Sequence, residues 1–267
     1  MISQSQIKHI TALKVKKFRE EQRQFIAEGH KLVTDLVNSE FKIAEIYASA
    51  DWIVANLSLI RVKNIPVFET LPREMDRISA LSTPSPVLAV VNIPAPGSHI
   101  PYPISKLTLA LDDIRDPGNL GTIIRIADWF GIKTIFCSES SVDTYNPKVV
   151  QATMGSIARV SVVRRNLAEL LSSLTGLQRA VPVYGTFLEG ESIFSQPLSD
   201  HGIIVIGNES NGISPELTPF ITRKLFIPSY GPPDAARADS LNASIATAII
   251  CAEFRRKHLK VKKLLIS

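Results

Sequence analysis

The sequence predicts an α/β protein whose C-terminal two-thirds form a parallel β-sheet covered by helices, preceded by a smaller α/β unit. Two observations lead to this fold class. After residue 105, short apolar segments alternate with helical stretches, which is the pattern of parallel strands joined by crossover helices. Before it, residues 94–104 contain four prolines, which neither a helix nor a central strand can accommodate, so we expect a linker there.

The first unit, residues 1–93, shows short helical and strand-like segments in turn. The basic segment 8–18 is predicted to be helical, and a second helix is predicted over 31–38, where apolar residues recur at helical spacing. Residues 43–48 and 87–91 are predicted strands, and the second of these is a continuous apolar run that suits a buried position. The sequence therefore predicts a small separate domain.

The second unit, residues 105–256, holds the predicted parallel sheet, and a basic tail follows at 257–267. Its predicted strands are 107–111, 134–137, 160–163, 181–187, 203–207 and 224–227, and its predicted helices are 119–130, 147–157 and 240–257. Ligands of such sheets bind at the carboxyl ends of the strands. The polar segments that follow strands are therefore the candidates for a functional site.

The charge distribution suggests a polyanionic partner. The chain has a net charge of +5, divided into +3 for residues 1–106, −4 for 107–254 and +6 for 255–267. Positive ends around an acidic middle would suit a polyanionic substrate, whose phosphates the flanks would hold. An ordinary solvated surface with a basic helix end explains the same charges equally well.

Several other classes of protein are disfavoured. No apolar stretch approaches the length needed to cross a bilayer, and the N-terminus lacks the apolar core of a signal peptide, so we expect a cytoplasmic protein. Cys137 and Cys251 lie in apolar runs, as buried free thiols do. The five histidines show no metal-ligand spacing with them, so no metal site is expected.

The first candidate segment, 112–125, follows a predicted strand directly. Pro117 and Gly118 are expected to form a turn and Asn119 to cap the next helix, which Gly131 would end. On a helical projection Arg125 points away from the apolar stripe of that helix. A cation so near a helix N-terminus opposes the helix dipole, so we expect an anionic partner. Full solvation of the arginine, or pairing with Asp128, stays open.

The second segment, 203–214, begins as a buried strand that stops at Gly207, where the missing Cβ would let a ligand approach the backbone. Asn208 and Glu209 then present polar groups at the strand's carboxyl end. A turn that leads to a Ser214 helix cap would explain the glycines at 207 and 212. It would not explain Glu209.

The third segment runs from 226 into the last helix. Ser240 or Asp239 could cap that helix, and small residues after it permit close packing against a neighbour. A capped core helix needs no function. Asn242, in the first turn beside Ser240, is the residue that such a helix explains least.

Together these segments resemble the SpoU/TrmH branch of the SPOUT RNA methyltransferases, over about residues 105–256. The motifs that carry the resemblance are Asp116-Pro-Gly-Asn-Leu-Gly-Thr-Ile-Ile-Arg125, Ile206-Gly-Asn-Glu-Ser-Asn-Gly212 and Ile227-Pro-Ser followed by Ser240-Leu-Asn-Ala-Ser244. The first unit is similar to an N-terminal RNA-binding domain of ribosomal protein L30e type, with Lys16-Lys-Phe-Arg19 and Phe25-Ile-Ala-Glu-Gly29 at its opening.

The resemblance implies transfer of a methyl group from S-adenosylmethionine to a ribose 2′-hydroxyl of structured RNA, either ribosomal or transfer RNA. It also implies a C-terminal trefoil knot and a homodimer. By position, the family's polar active-site residues are Asn119, Arg125, Glu209, Ser240 and Asn242. Its cofactor would contact Gly207, Ile227, Leu241 and Thr186.

The sequence departs from the family pattern at one place, and one alternative function stays open. The stretch between Gly231 and Ser240 is longer than the family commonly shows, which affects the expected shape of the cofactor loop. A guanidinium is a poor base, so we expect Arg125 to bind phosphate and stabilise the developing alkoxide. The alternative function is a catalytically inactive RNA-binding protein on the same fold.

Overall fold

A computed structural model describes residues 2–95, 106–174, 181–231 and 239–264, with side chains as far as 256. The chain forms two compact units, Met1–Ser98 with Asp143–Arg159, and His99–Val142 with Val160–Ser267, as far as their residues are described. Most of the predicted linker 94–104, most of the loop 231–239 and the side chains of the predicted tail 257–267 lie outside the described residues.

The elements of the first 95 residues are six helices and four strands among those described. They are α1 (Gln4–Ala12), α2 (Lys16–Gln22), β1 (Gln24–Glu28), α3 (His30–Val37), β2 (Ile43–Ala48), α4 (Ala50–Ala55), α5 (Leu57–Lys63), β3 (Val67–Glu69), α6 (Pro72–Ile78) and β4 (Val87–Asn92). The strands form one sheet in the order β1-β4-β2-β3. Strands β1 and β2 are antiparallel to β4, and β3 is parallel to β2.

The prediction of one helix over 8–18 was wrong, because two helices share this segment. Ser3 caps α1 with a capping box, so the helix begins earlier than predicted. Val15 then has an extended backbone (φ −100°, ψ 132°), which separates α1 from α2. The helix predicted over 31–38 and the strand predicted over 43–48 are confirmed by α3 and β2.

Residues Asp143–Arg159 complete the core of the first unit, although the sequence placed them inside the segment 105–256. Val150 and Ile157 are buried in the same apolar cluster as Phe25 and Val91. The Arg19 guanidinium, 2% exposed, donates to Asp143 Oδ2 from Nε at 2.9 Å. Periodicity along the chain predicts single elements and cannot assign a helix to one of two separate cores.

The remaining elements are β5 (Leu107–Leu111), α7 (Pro117–Trp129), β6 (Thr134–Cys137), α8 (Pro147–Ala152), β7 (Ser161–Arg164), α9 (Leu167–Ser172), β8 (Val183–Ser192), β9 (Gly202–Ile206), β10 (Arg223–Phe226) and α10 (Ala243–Leu264). The six strands that the structure describes in the second unit are all parallel, in the order β10-β8-β9-β5-β6-β7. The predicted parallel sheet is confirmed, strand by strand.

Two helices differ from the prediction. The helix predicted over 147–157 ends as α8 at Ala152, because Met154 (φ 51°) and Gly155 (φ 94°) adopt left-handed conformations before a short 3₁₀ turn. The last helix begins at Ala243 and its backbone continues to Leu264. No helix among the described residues is long and apolar enough to span a membrane.

The strand order fixes where a ligand site should be. From β5 the chain continues outward through β6 and β7, and later returns on the other side of β5 with β8, β9 and β10. The order therefore reverses between the neighbours β5 and β9. In open parallel sheets, ligands bind at such a point, outside the carboxyl ends of the two strands.

Candidate functional site

The carboxyl ends of β5 and β9 are tied together by side chains that follow each strand. The Asp112 carboxylate, 4% exposed, accepts a hydrogen bond from the Ser214 backbone N–H at 2.7 Å. From the other strand, Asn208 Nδ2 donates to the Asp113 carbonyl at 2.9 Å. These two bonds join the first and second sequence segments at the point where the strand order reverses.

Contrary to the prediction from the sequence, Asn119 is not the N-cap of α7. The cap is Asp116, whose Oδ1 accepts the Asn119 backbone N–H at 2.7 Å, with Pro117 in the first turn. An aspartate cap three residues earlier is favoured by the helix dipole, and it leaves the Asn119 side chain available for other contacts. At the other end, Gly131 follows the helix with φ +67°, as predicted.

Asn119 joins the three sequence segments. Its Nδ2 donates to Glu209 Oε1, and its Oδ1 accepts from Asn242 Nδ2 at 2.9 Å. Asn242 Oδ1 in turn accepts from the backbone N–H of Ser244 at 3.0 Å. The side-chain amides of Asn119 and Asn242 each donate one hydrogen bond and accept another. In both amides the NH2 group is on the side of Glu209. We call Asn119, Glu209 and Asn242 the polar triad.

Asn242, and not Ser240 or Asp239, provides the side-chain cap of α10. Its Oδ1 accepts from the backbone of Ser244 and, at 3.4 Å, of Ile245, and its carbonyl accepts from Ala246 at 2.9 Å. Asparagine is as good a cap as serine, so composition alone could not distinguish them. Ser240 lies near the triad, with its hydroxyl 3.5 Å from the Glu209 carbonyl oxygen.

Arg125 is exposed and is not joined to the polar triad. No hydrogen bond or ion pair joins it to the polar residues of the three segments that the structure describes. The buried residues of α7 are Leu120, Gly121, Ile123, Ile124 and Ala127. Arg125 therefore points away from the apolar face, as the helical projection predicted, and its charge is free to meet an external anion.

The four predicted cofactor residues lie at the carboxyl edge of the sheet or just before α10. Gly207 directly follows β9, Ile227 directly follows β10, and Thr186 pairs with Leu225 near the end of the regular β8–β10 ladder. Leu241 is 45% exposed. Gly207 is required within the loop itself, because a Cβ there would collide with the Gly212 backbone. The predicted reason, close approach of a ligand, is therefore not needed to explain this glycine.

Asn208 is a further residue of the site. The sequence marks it only as a polar residue after the strand, and its hydrogen bond to the Asp113 carbonyl links the two loops. Its Oδ1 accepts from the backbone N–H groups of Ser210 and Asn211 at 2.9 and 3.1 Å. An asparagine that binds backbone two and three residues later is a known turn signal, and this was the available indication.

The described residues include neither a cluster of metal ligands nor a reactive cysteine. No group of three or more His, Cys, Asp or Glu side chains there could hold a metal ion. Cys137 and Cys251 are free and buried, and burial raises the pKa of both thiols to about 12. At neutral pH both are protonated and poor nucleophiles.

Comparison with known proteins identifies both units. The SpoU rRNA Methylase family model matches residues 106–252, and the MRM3-like substrate binding domain matches residues 4–89. Among curated proteins, the 23S rRNA (guanosine(2553)-2′-O)-methyltransferase RlmP of Bacillus subtilis is 29% identical over 93% of this chain and 95% of its own length.

Solved structures of the same family superpose over nearly the whole chain. A protein from Porphyromonas gingivalis assigned to the TrmH family of RNA methyltransferases is 37% identical, with a TM-score of 0.83 over 96% of this chain and 99% of that one. An rRNA methyltransferase from Sinorhizobium meliloti, solved with AdoMet bound, is 31% identical, with a TM-score of 0.83 over 96% and 97% of the two chains. The chain therefore belongs to the SpoU rRNA methylase family.

Proposed function

We propose that this protein transfers a methyl group from S-adenosylmethionine to a ribose 2′-hydroxyl of ribosomal RNA. The observation that carries the proposal is the polar triad. Asn119, Glu209 and Asn242 come from three separate segments and meet where the order of a parallel sheet reverses. Arg125, an exposed cation with no ion-pair partner among the side chains that the structure describes, lies on the same helix as Asn119.

The residues at the sheet edge fit S-adenosylmethionine. Backbone groups that follow β9 and β10, around Gly207 and Ile227, would hold its polar parts, and the exposed apolar side chain of Leu241 would contact an uncharged part. Thr186 would add a hydroxyl. When bound, the cofactor supplies a methyl group that its sulfonium already activates, so the protein's residues mainly have to align the ribose.

The roles of the protein's own residues follow from their charges. Arg125, having no partner among the described side chains, would bind the phosphate next to the target ribose and stabilise the developing alkoxide. Glu209 accepts from Asn119 through one oxygen and keeps the other for the ribose or for Arg125. Asn242 and Ser240 hold this arrangement at the start of α10.

Ribosomal RNA is the substrate class we favour. The curated relative that aligns over 93% of the chain is named for methylation of 23S rRNA, and the first unit matches a substrate binding domain. We propose that the first unit binds RNA backbone and structure, which would supply affinity with little sequence selection. Action in the cytoplasm stays a prediction.

We also propose a homodimer, for which α7 and α10 offer a face. The two helices lie side by side, since Asn242 binds Asn119 at one end and Arg255 Nε donates to the Phe130 carbonyl at 2.7 Å at the other. Trp129 on α7 is 85% exposed and Ile245 on α10 is 53% exposed. Large exposed apolar side chains on adjacent helices favour burial against a second copy. The trefoil knot implied by the resemblance stays a prediction.

The proposal is tested by incubating the purified protein with tritiated S-adenosylmethionine and unmodified transcripts of 23S rRNA, 16S rRNA and transfer RNA. We expect label in a ribosomal transcript. Label only in transfer RNA would contradict the substrate class. Absence of label in all three, with cofactor binding detected by calorimetry, would contradict the catalytic function, and absence of binding as well would favour a noncatalytic RNA-binding protein.

A further inference from the structure

Asp113, at the end of β5, has a left-handed backbone conformation with φ +55°. This region disfavours residues with a Cβ, and aspartate tolerates it better than most. The residue lies three positions before Asp116, the cap of α7, and its conformation sets the direction in which the chain enters that helix. This backbone conformation therefore needs stabilising contacts from neighbouring residues.

Two hydrogen bonds hold the Asp113 backbone from opposite sides. Its N–H donates to Ser138 Oγ at 2.8 Å, and its carbonyl accepts from Asn208 Nδ2 at 2.9 Å. The Asn208 side chain also organises the loop that carries Glu209. The turn at Asp113 is thus the common support of the loop that holds Glu209 and the helix that holds Asn119.

Ser138 is itself fixed and buried, with 9% exposure, directly after β6. Its backbone N–H donates to the Leu111 carbonyl at 2.9 Å, and its hydroxyl lies 2.9 Å from that of Ser141. Ser141 Oγ accepts the next backbone N–H of the turn, from Ile114, at 3.2 Å. A pair of serines outside the three sequence segments therefore binds two consecutive amides of the turn.

We infer that Ser138 is a positioning residue for methyl transfer, acting by holding the Asp113 turn so that Glu209 meets Asn119. The inference rests on the proposed function. Ser138 touches neither the polar triad nor the predicted cofactor residues through any hydrogen bond among the described residues. Its removal should therefore misplace the triad and leave cofactor affinity intact.

The test compares Ser138→Ala with Ser140→Ala, in the full-length protein and with a 23S rRNA transcript. Ser140 is the matched control, since it is exposed and, within the described part of the chain, the side-chain contact of its hydroxyl is with that of Ser138, at 3.0 Å. In Ser138→Ala we expect kcat to fall by about tenfold or more, because small displacements of aligned groups are costly. We expect the S-adenosylmethionine Kd to stay within about twofold in both variants, because no cofactor residue is altered.

A second variant separates positioning from general loss of structure. Adding Asp113→Gly to Ser138→Ala should restore most of the lost kcat, because glycine adopts the left-handed conformation without support. Equal kcat for Ser138→Ala and Ser140→Ala, or no recovery in the double variant, would overturn the inference. If the wild-type protein transfers no methyl group, the proposed function fails; unchanged amide hydrogen exchange at Asp113 in Ser138→Ala would separately overturn the support assigned to Ser138.

Discussion

The Asn242 side-chain amide donates to Asn119 Oδ1 at 2.9 Å, across 123 positions of sequence. The Asn119 side-chain amide in turn donates to the Glu209 carboxylate. Because each amide oxygen is occupied by a donor, the orientation of both amides is determined by their partners. The start of α10 is thereby connected to the loop after β9 through the Asn119 side chain on α7, and Ser240 adds a direct contact with that loop.

Asn119→Ala should remove most of the activity. Losing this side chain breaks both contacts, and we expect kcat to fall by about a hundredfold, the size of effect seen when reacting groups are misaligned. Asn119→Asp should be as inactive, since it places a second carboxylate against Glu209. Steady-state methyl transfer to a 23S rRNA transcript measures both, with the nearby Thr122→Ala as control. Retention of half the wild-type kcat by Asn119→Ala would contradict the role.

Arg125→Lys should retain a small part of the activity, and Arg125→Ala less. Lysine keeps the charge for a phosphate but loses the planar fork of the guanidinium. We expect an unchanged affinity for S-adenosylmethionine in both, because Arg125 is assigned to the RNA. Calorimetry with the cofactor checks this, and loss of cofactor binding in Arg125→Lys would show that the assignment is wrong.

Removal of residues 257–267 should weaken RNA binding and flatten its salt dependence. The segment carries four lysines and no acidic residue. Each phosphate contact contributes about 0.7 to 0.9 to the slope of log K against log salt, so loss of four contacts should make the slope shallower by up to about 3.6. Replacing the four lysines by glutamine is the matched variant, and an unchanged slope in both would exclude the tail from the RNA-binding surface.

The ion pair between the buried Arg19 and the partly buried Asp143 should contribute strongly to the stability of the first unit. Arg19→Ala leaves the carboxylate without its guanidinium; breaking a fully buried pair costs about 3–5 kcal/mol, and we expect a loss near the lower end of that range. Lys16→Ala is the control, since Lys16 pairs with Glu20 at 3.6 Å on the surface and such a pair contributes about 0–1 kcal/mol. Urea unfolding of the two variants measures the difference. Equal losses would mean that Asp143–Arg159 is not part of this core.

Neither cysteine should react with a thiol reagent at pH 8 in the folded protein. The thiolate is the reactive form, and burial raises the pKa of Cys137 and Cys251 to about 12, far above this pH. Both should react once urea unfolds the chain. Rapid labelling of either thiol before unfolding would contradict their burial.

Much of the second unit could be predicted because its central strands are short and almost entirely apolar. Buried parallel strands such as β5 and β9 favour apolar residues at nearly every position, and polar residues then mark their ends. Local patterns failed where several residues compete for one role. Asp116 and Asn119 are both good helix caps, as are Ser240 and Asn242, and the choice depends on which side chain the rest of the site uses.

The supports of the site could not be predicted from the three segments. Ser138 follows β6 and contacts Asp113 only because β5 and β6 are neighbours in the sheet. Assignment of Asp143–Arg159 to the first unit likewise depends on tertiary contacts, such as the Arg19 pair, that have no local signature.

If the polar triad directs methyl transfer to a ribose, the methylated product must be a 2′-O-methylnucleoside whose formation depends on Asn119. To measure this, a 23S rRNA transcript is incubated with the protein and deuterium-labelled S-adenosylmethionine and digested to nucleosides, and the labelled product is identified by mass spectrometry. We expect a single 2′-O-methylnucleoside with the wild type and none with Asn119→Ala. Label on a base, or equal ribose labelling by the two proteins, would contradict the claim.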